Sequence, residues 1–276
     1  MNTLNILKCP VCQCSLFKEE KSYYCTGEKR HCFDISAAGH TNLCPGRATG
    51  GDDKRAVKSR TDFLTQGYYE PISSKICELL SELGGGASII DAGCGEGYYS
   101  NNIARATGST VYGFDLSKEA IISASKSAKR QSISNAQFFV GGIYDLPVKN
   151  GGADAIVNIF APCAEEEFTR ALRDEGLLVV ATAGRDHLLG LKNAIYDNVY
   201  PNEIRADLPK HLVLEGKHTV SYVIEINDSE TVRNLFSMTP YSYRTSEKDM
   251  QKLLSLTSLK TEVQVDIFVY RKREIK

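Results

Sequence analysis

Apolar residues along the chain follow two patterns, short continuous runs and single faces with helical spacing. The runs predict strands over residues 89–91, 111–115, 138–142, 155–160, 177–183, 218–226 and 260–270. Segments with helical spacing lie between most of these strands, and the first carries Ile72, Ile76 and Leu80 on one face. This alternation predicts an α/β fold with a mostly parallel sheet, whose ligand sites lie at the carboxyl ends of the strands.

The strongest local signal begins at Ser88 and reads S-I-I-D-A-G-C-G-E-G-Y-Y-S. A short buried strand ends on Asp91 and leads into Gly93, Gly95 and Gly97 at alternate positions, after which a helix begins. Glycines permit a sharp turn with positive φ, and they let a ligand approach the backbone amides. The spacing differs from the dinucleotide motif G-x-G-x-x-G, and no G-K-[S/T] for a triphosphate is present. The segment therefore predicts another kind of nucleotide site at a strand–turn–helix junction.

Composition adds limits on the class of protein. The formal net charge of the 276 residues is −1, but residues 1–60 carry ten Lys/Arg against six Asp/Glu. A basic end permits contact with nucleic acid without requiring it. No apolar run approaches the roughly 18 residues of a membrane span and no signal-peptide core is visible, which predicts a cytoplasmic protein without membrane contact. Nine cysteines, an odd number, favour metal ligands and buried thiols over disulfides.

Residues 1–44 have the spacing of a zinc ribbon. Cys9 and Cys12 form a C-P-V-C knuckle, and the second half of the site is expected ten to twenty residues later. Cys25 and His31 meet that spacing, so we predict that these four residues bind zinc. Cys14 and Cys32 are the spare thiols. A unit this small has no sizeable core, so we expect the metal to stabilise it separately from the next domain, against which residues 31–43 should pack as turns.

Residues 45–60 look like a basic linker. They contain five basic residues, Arg47, Lys54, Arg55, Lys58 and Arg60, against two aspartates. A mobile basic linker could contact a phosphate backbone, and a merely solvated linker fits the charge equally well. The remaining residues, 61–276, form the predicted α/β domain, which starts with a short helix over residues 61–67.

Eight short motifs then occur in order along nearly the whole chain. They read C-P-V-C, R-H-C-F-D, F-L-x-x-G-x-Y-x-P, D-A-G-C-G-E-G-Y-Y, F-D-L-S-K, I-F-A-P-C, H-L-x-x-L-K-x-x-I-Y and M-T-P-Y. The glycine segment resembles motif I of the class I S-adenosylmethionine (SAM) methyltransferases. Together the motifs resemble the bacterial RlmA type of 23S rRNA (guanine-N1) methyltransferase. That resemblance implies a zinc ribbon joined to a SAM domain, a homodimer, and methylation of guanine N1 in a hairpin loop of 23S rRNA.

The resemblance also implies roles for individual residues. Asp91 holds the glycine turn and the methionine end of SAM, and Asp115, which closes the next strand, accepts hydrogen bonds from both ribose hydroxyls. Further SAM contacts are implied for Tyr69, Tyr99, Ser100 and His187. Gly142 stands where many SAM enzymes have an aspartate for adenine, so we expect backbone groups around Ile143, or Asp145, to take that role. The zinc ligands are the four named above, and the long Cys25 to His31 spacing leaves Cys32 as a substitute.

The acceptor side of the site is predicted at the end of the strand over residues 155–160. Guanine N1 carries a proton that must leave, so an acceptor near N1 is expected. We predict that Asn158, with the backbone of residues 160–162, orients the base. Stacking of a splayed guanine suits Phe160 or Tyr98.

Two other functions fit parts of the sequence. A small-molecule SAM methyltransferase of quinone or lipid biosynthesis would share the cofactor motifs, but it needs neither the ribbon nor the basic linker. An RNA-binding protein with an inactive methyltransferase domain would retain the ribbon. The intact Asp91, glycine turn and Asp115 argue against that second alternative.

Overall fold

The computed structural model describes residues 6–44, 46, 50–203, 209 and 211–273. The N-terminal part is an antiparallel ribbon of three strands, β1 (Leu16–Glu19), β2 (Ser22–Cys25) and β3 (Cys32–Asp34). Tyr23 faces inward and Tyr24 outward, because successive side chains of a strand point to opposite faces of the sheet.

The rest of the chain alternates strands and helices around one sheet. The strands are β4 (Thr41–Asn42), β5 (Ser88–Ala92), β6 (Thr110–Asp115), β7 (Ala136–Val140), β8 (Ala153–Ile159), β9 (Leu172–Ala183), β10 (Val213–Ile226) and β11 (Leu259–Arg271). The helices are α1 (Lys54–Leu64), α2 (Glu70–Ser81), α3 (Tyr98–Thr107), α4 (Lys118–Arg130), α5 (Glu165–Ala171), α6 (Leu189–Ile195), α7 (Ser229–Ser237) and α8 (Glu247–Ser255), with a 3-10 helix over Pro240–Tyr243.

The eight strands lie in the order β10-β11-β9-β8-β5-β6-β7-β4. β4 to β9 pair in parallel, and β10 and β11 add an antiparallel end. The predicted α/β fold with a mostly parallel sheet is therefore confirmed. The carboxyl ends of β5, β6, β8 and β9 lie along one edge of the sheet, where a ligand site is expected.

The first helix starts earlier than the sequence indicates. The Asp53 side chain accepts hydrogen bonds from the backbone N–H groups of Arg55 and Ala56, and this cap begins α1 at Lys54. Residues 54–60, predicted as part of the linker, are thus helical. Among the other predicted linker residues, 45 and 47–49 lie outside the described part of the chain.

The segment that follows the ribbon joins the main sheet, and the ribbon packs against it. β4 pairs with β7, with Thr41 opposite Phe139, and so covers that edge of the sheet. Tyr23 is buried, its ring lies 5.8 Å from that of Phe139, and its hydroxyl donates to Gln137 Oε1 at 2.7 Å. Leu16 of β1 belongs to the same buried cluster as Phe139. The predicted boundary at residue 44 therefore passes through a shared core, which differs from the independent unit that the sequence suggests.

The other edge of the sheet is formed by β10. It pairs with β11 alone, and within the described chain no hydrogen bond reaches the backbone of β10 from any other element, apart from its ladder to β11. The sequence predicts this strand from residue 218, but it already begins at Val213. None of the described helices has the length and apolar character to cross a membrane.

Candidate functional site

The glycine segment forms the turn that the sequence predicts. Gly93, Gly95 and Gly97 all have positive φ, at 85°, 54° and 80°. A Cβ on Gly93 would lie 2.7 Å from that of Ala161, and a Cβ on Gly97 would lie 2.7 Å from that of Ala124. Both the backbone conformation and the close packing therefore require glycine at these two positions.

Asp115 at the end of β6 is tied to this turn. Its carboxylate accepts hydrogen bonds from the backbone N–H of Gly95 at 3.0 Å and from that of Ser117 at 2.8 Å. Burial raises the pKa of Asp115, and the two amide hydrogen bonds act in the opposite direction. The side chain lines a large cavity and so presents an oriented carboxylate to it.

Asp91 lies behind the turn. It is buried, and Ser100 Oγ donates to its carboxylate at 2.5 Å. Burial raises the pKa of Asp91 to about 7. Neither Asp91 nor Ser100 is among the residues that line the cavity, and their hydrogen bond joins β5 to α3 behind the turn.

The wall beside the turn is aromatic. Phe160 follows β8 with a φ of 51°, an unfavourable conformation for a residue with a Cβ, and its ring is 42% exposed. The ring stacks on His187 with 5.8 Å between centroids. His187 Nε2 in turn lies 3.3 Å from the Tyr69 hydroxyl. All three rings line the cavity.

Asn158 is fully buried and does not line the cavity. Its Nδ2 donates to the carbonyl oxygens of Ala92 at 3.1 Å and Pro162 at 3.0 Å. The side chain thus joins the end of β5 to the loop after β8. The predicted direct role of Asn158 on the base is not supported by this position, because its amide can affect a base only through the loop that it holds.

The cavity itself has a volume of about 910 Å³. Seven of the predicted cofactor residues line it: Tyr69, Gly93, Gly95, Tyr99, Asp115, Ile143 and His187. Three do not: Asp91, Gly97 and Ser100. The alternatives Asp145 for adenine and Tyr98 for base stacking also lie outside the lining.

Arg60 has a position that the sequence did not indicate. Its Nε donates to Glu96 at 2.6 Å, its Nη2 pairs with Asp52, and the guanidinium lies against Gly95. The sequence leaves a phosphate contact open for Arg60 as part of the linker, but Arg60 lines the cavity and links α1 to the glycine turn. One feature of the sequence could have indicated this contact. Glu96 lies within a turn that is expected to be buried, and a buried carboxylate needs a nearby cation.

The Cys/His module gathers four ligand atoms. The Sγ atoms of Cys9, Cys12 and Cys25 and one ring nitrogen of His31 all lie within 4.8 Å of one another. The Cys12 to Cys25 Sγ distance is 3.7 Å and Cys25 Sγ lies 3.4 Å from His31 Nδ1, edges of the size that tetrahedral zinc with bonds of about 2.0–2.3 Å produces. Cys32 is exposed and lies outside this group.

Comparison with known proteins identifies the family. Residues 83–240, more than half of the chain, match the family described as "Methyltransferase domain". The chain belongs to this methyltransferase family. Residues 7–49 of the methyltransferase also match the zinc ribbon described as "RlmA, N-terminal".

Three similar proteins extend the comparison. YxjB of Bacillus subtilis (strain 168) is 25% identical to the methyltransferase over 278 residues, 96% of each chain. The 23S rRNA (guanine(748)-N(1))-methyltransferase of Streptomyces fradiae is 25% identical over 268 residues, 92% of this chain and 91% of that protein. The crystal structure of YcgJ from Bacillus subtilis covers 75% of this chain and all of its own, with a TM-score of 0.51 and 16% identity, a likeness of fold.

The residues present fit the two groups that the family implies. SAM needs a turn open to its nucleotide and an acid for its ribose, and the cavity offers Gly93, Gly95 and the oriented carboxylate of Asp115. The Cys₃His cluster has the donor set and the distances of a structural zinc site. The methyltransferase thus uses SAM as its cofactor and carries a zinc ribbon.

Proposed function

We propose that this methyltransferase transfers a methyl group from SAM to N1 of a guanine in a hairpin loop of 23S rRNA, giving 1-methylguanosine. The observation that carries the proposal is the match of ribbon and catalytic domain, over nearly the full length, to an enzyme named for that reaction. An aromatic ring exposed in the cavity beside the cofactor turn adds support, because a base splayed from a loop stacks on such a ring.

The residues of the chain have separable tasks in this reaction. SAM supplies an electrophilic methyl group, so the protein mainly aligns the acceptor and excludes water. Asp115 and the glycine turn hold the nucleotide part. Phe160, supported by the ring of His187, provides a face for the guanine. Asn158 fixes the loop that carries Phe160 relative to β5.

RNA contact is assigned to exposed cations on the ribbon and on α1. Lys18, Lys21 and Lys29 are exposed on the ribbon, and Lys54 and Arg55 are exposed at the start of α1. Within the described chain none of these five has an ion pair, so each is available to a phosphate. Arg60 is left out because Glu96 and Asp52 hold it.

The test is methylation of 23S rRNA prepared from cells that lack the gene. We expect 1-methylguanosine by mass spectrometry and a block to primer extension at one guanine, since N1 lies on the pairing edge. Replacing Lys54 and Arg55 with Ala should weaken RNA binding and reduce its log–log salt slope by roughly one per lost phosphate contact. SAM affinity should remain unchanged.

A small-molecule acceptor is the alternative outcome. If 23S rRNA from such cells gains no methyl group while the protein binds SAM, the quinone or lipid type of methyltransferase becomes the better assignment. Deleting the ribbon would not separate the two functions, because the ribbon shares its core with β7. Substitutions of exposed residues avoid that difficulty.

A cytoplasmic homodimer completes the proposal. The edge of β10, unpaired among the described residues, supports it, since long unpaired edges invite pairing with another chain. Antiparallel pairing of two copies centred on Ser221 would set Lys217 of each copy opposite Glu225 of the other. Light scattering should then give twice the mass of 30.4 kDa, and Ser221→Pro should give the monomer.

A further inference from the structure

We propose that Glu203 is the general base of the reaction, accepting the N1 proton of the target guanine. This inference rests on the proposed function and names a residue for which the sequence predicts no role. Glu203 lines the cavity together with His187 and Phe160. It is exposed there and sits in a stretch without helix or strand.

The carboxylates of the cavity differ in their partners. Among the residues that the structure describes, four acids line it: Asp52, Glu96, Asp115 and Glu203. Asp52 and Glu96 pair with Arg60, and Asp115 accepts two backbone hydrogen bonds. Glu203 has no hydrogen bond or ion pair with any residue of the described ranges. Of the four, it is therefore the carboxylate that is available to a substrate.

The position of Glu203 is fixed by its neighbour. The Asn202 backbone N–H donates to Arg185 O at 2.8 Å, and Asn202 Nδ2 donates to Gly184 O at 3.0 Å and His187 O at 2.9 Å. Asn202 Oδ1 accepts from Lys192 Nζ at 2.6 Å. These contacts hold Asn202 against the turn that follows β9. The backbone of the next residue, Glu203, is therefore held beside the aromatic wall.

A carboxylate suits the edge of guanine that reacts. Guanine presents N1–H and one N2–H side by side in the plane of the base, and both are donors, so the two oxygens of one carboxylate can accept them together. Stacking on Phe160 fixes the plane of the base. Phe160 would then stack on the face of the base and Glu203 would bind its N1–N2 edge. The two residues lie in different loops of one cavity.

The proton and the charges balance in a single displacement. The N1–H bond breaks and its proton passes to a Glu203 oxygen, while the electron pair left on N1 forms the new N1–CH₃ bond. The sulfur–methyl bond breaks and its electron pair stays on sulfur, so the sulfonium becomes a neutral thioether. One positive and one negative charge are lost together, and Glu203 later releases its proton to water.

Glu203→Gln tests this role, with Glu119→Gln on the exposed surface of α4 as the matched control. We expect Glu203→Gln to lower kcat on 23S rRNA by about 100-fold or more, the usual range for a lost general base. SAM affinity, measured by calorimetry, should stay within twofold. Glu119→Gln should keep the wild-type rate.

A second variant separates a base from a structural role. Glu203→Ala leaves space for a small carboxylate, so added formate should restore part of the rate, while Glu203→Gln should not respond. A Glu203→Gln rate within threefold of wild type, a loss of SAM affinity in that variant, or the absence of formate rescue would each overturn the inference. If wild type itself does not methylate the rRNA, the proposed function fails instead.

Discussion

The Nδ1 atom of His187 accepts a hydrogen bond from the backbone N–H of Gln264 at 3.3 Å. A backbone N–H can only donate, so Nδ1 carries no proton and the ring proton of the neutral imidazole lies on Nε2. Nε2–H therefore donates to the Tyr69 hydroxyl, which must direct its own proton elsewhere in the cavity. The strand β11 thus sets the hydrogen-bond direction of the Tyr69 hydroxyl on the aromatic wall.

This arrangement predicts a pH dependence of stability. Burial lowers the pKa of His187 to about 4, below its ordinary value near 6.5. The unfolded chain binds the proton first as the pH falls, so the free energy of unfolding decreases between about pH 6.5 and pH 4. From pH 7 to pH 5 the loss should be roughly 2 kcal/mol. Denaturant titrations at several pH values should show that the free energy of unfolding falls more steeply with decreasing pH in wild type than in His187→Gln. An equal pH dependence in the two proteins would contradict the prediction.

Asp115→Ala should weaken SAM binding by about 2 kcal/mol or more without unfolding the protein. The substitution removes a carboxylate that the proposal assigns to two ribose hydroxyls, and hydrogen bonds to a charged group contribute about 1.5–3 kcal/mol. Calorimetry gives the affinity. Asp145→Ala is the control, because Asp145 is exposed and outside the cavity lining, and it should change the affinity less than twofold. Equal losses in both variants would contradict the assignment.

SAM affinity should rise with pH near neutrality. Burial raises the pKa of Asp91 to about 7, so the free protein holds this acid partly protonated. The positive charge of bound SAM favours the ionised form and lowers that pKa, so binding releases a proton. Between pH 6 and pH 8 the dissociation constant should fall by roughly tenfold. Asp91→Asn should bind more weakly and with a flatter pH profile, and an equally steep profile would exclude Asp91.

Removing zinc should destabilise more than the ribbon. We expect one zinc ion per chain, and Cys9→Ser should lose it while Cys32→Ser keeps it. Because Tyr23 packs on Phe139, loss of the metal should also increase hydrogen exchange in β7. Exchange that rises only in the ribbon would mean that the two parts are independent after all.

Phe160 allows strain and function to be separated. Its φ of 51° is costly for any residue with a Cβ, so Phe160→Gly should be more stable than Phe160→Ala by about 1 kcal/mol. Both variants lack the ring and should lose rRNA methylation together, while SAM affinity is retained. If either variant methylates at the wild-type rate, the stacking role is wrong.

The parts of the fold that follow local patterns could be predicted from the sequence. Local signals include the alternating glycines 93, 95 and 97 and the acids at the ends of β5 and β6. Each of them can be recognised from the few residues around it. The knuckle spacing of Cys9 and Cys12 is local in the same sense.

Contacts between distant segments could not be predicted in this way. Arg60 and Glu96 are 36 positions apart, and local composition assigned the arginine to a linker. β4 has two residues, too few for any periodicity. Glu203 lies in a segment without periodic pattern, and the hydrogen bonds of Asn202 in the structure reveal where the segment is held.

The pairing of β4 with β7 has a consequence for how such a chain can change over time. The inner face of the ribbon meets Gln137 and Phe139, so a recombination event that exchanged the ribbon alone would set foreign side chains against both. A viable chimera needs matched changes on β7 as well. Exchange of the ribbon therefore depends on the side chains of β7, unlike exchange of a module joined by a tether.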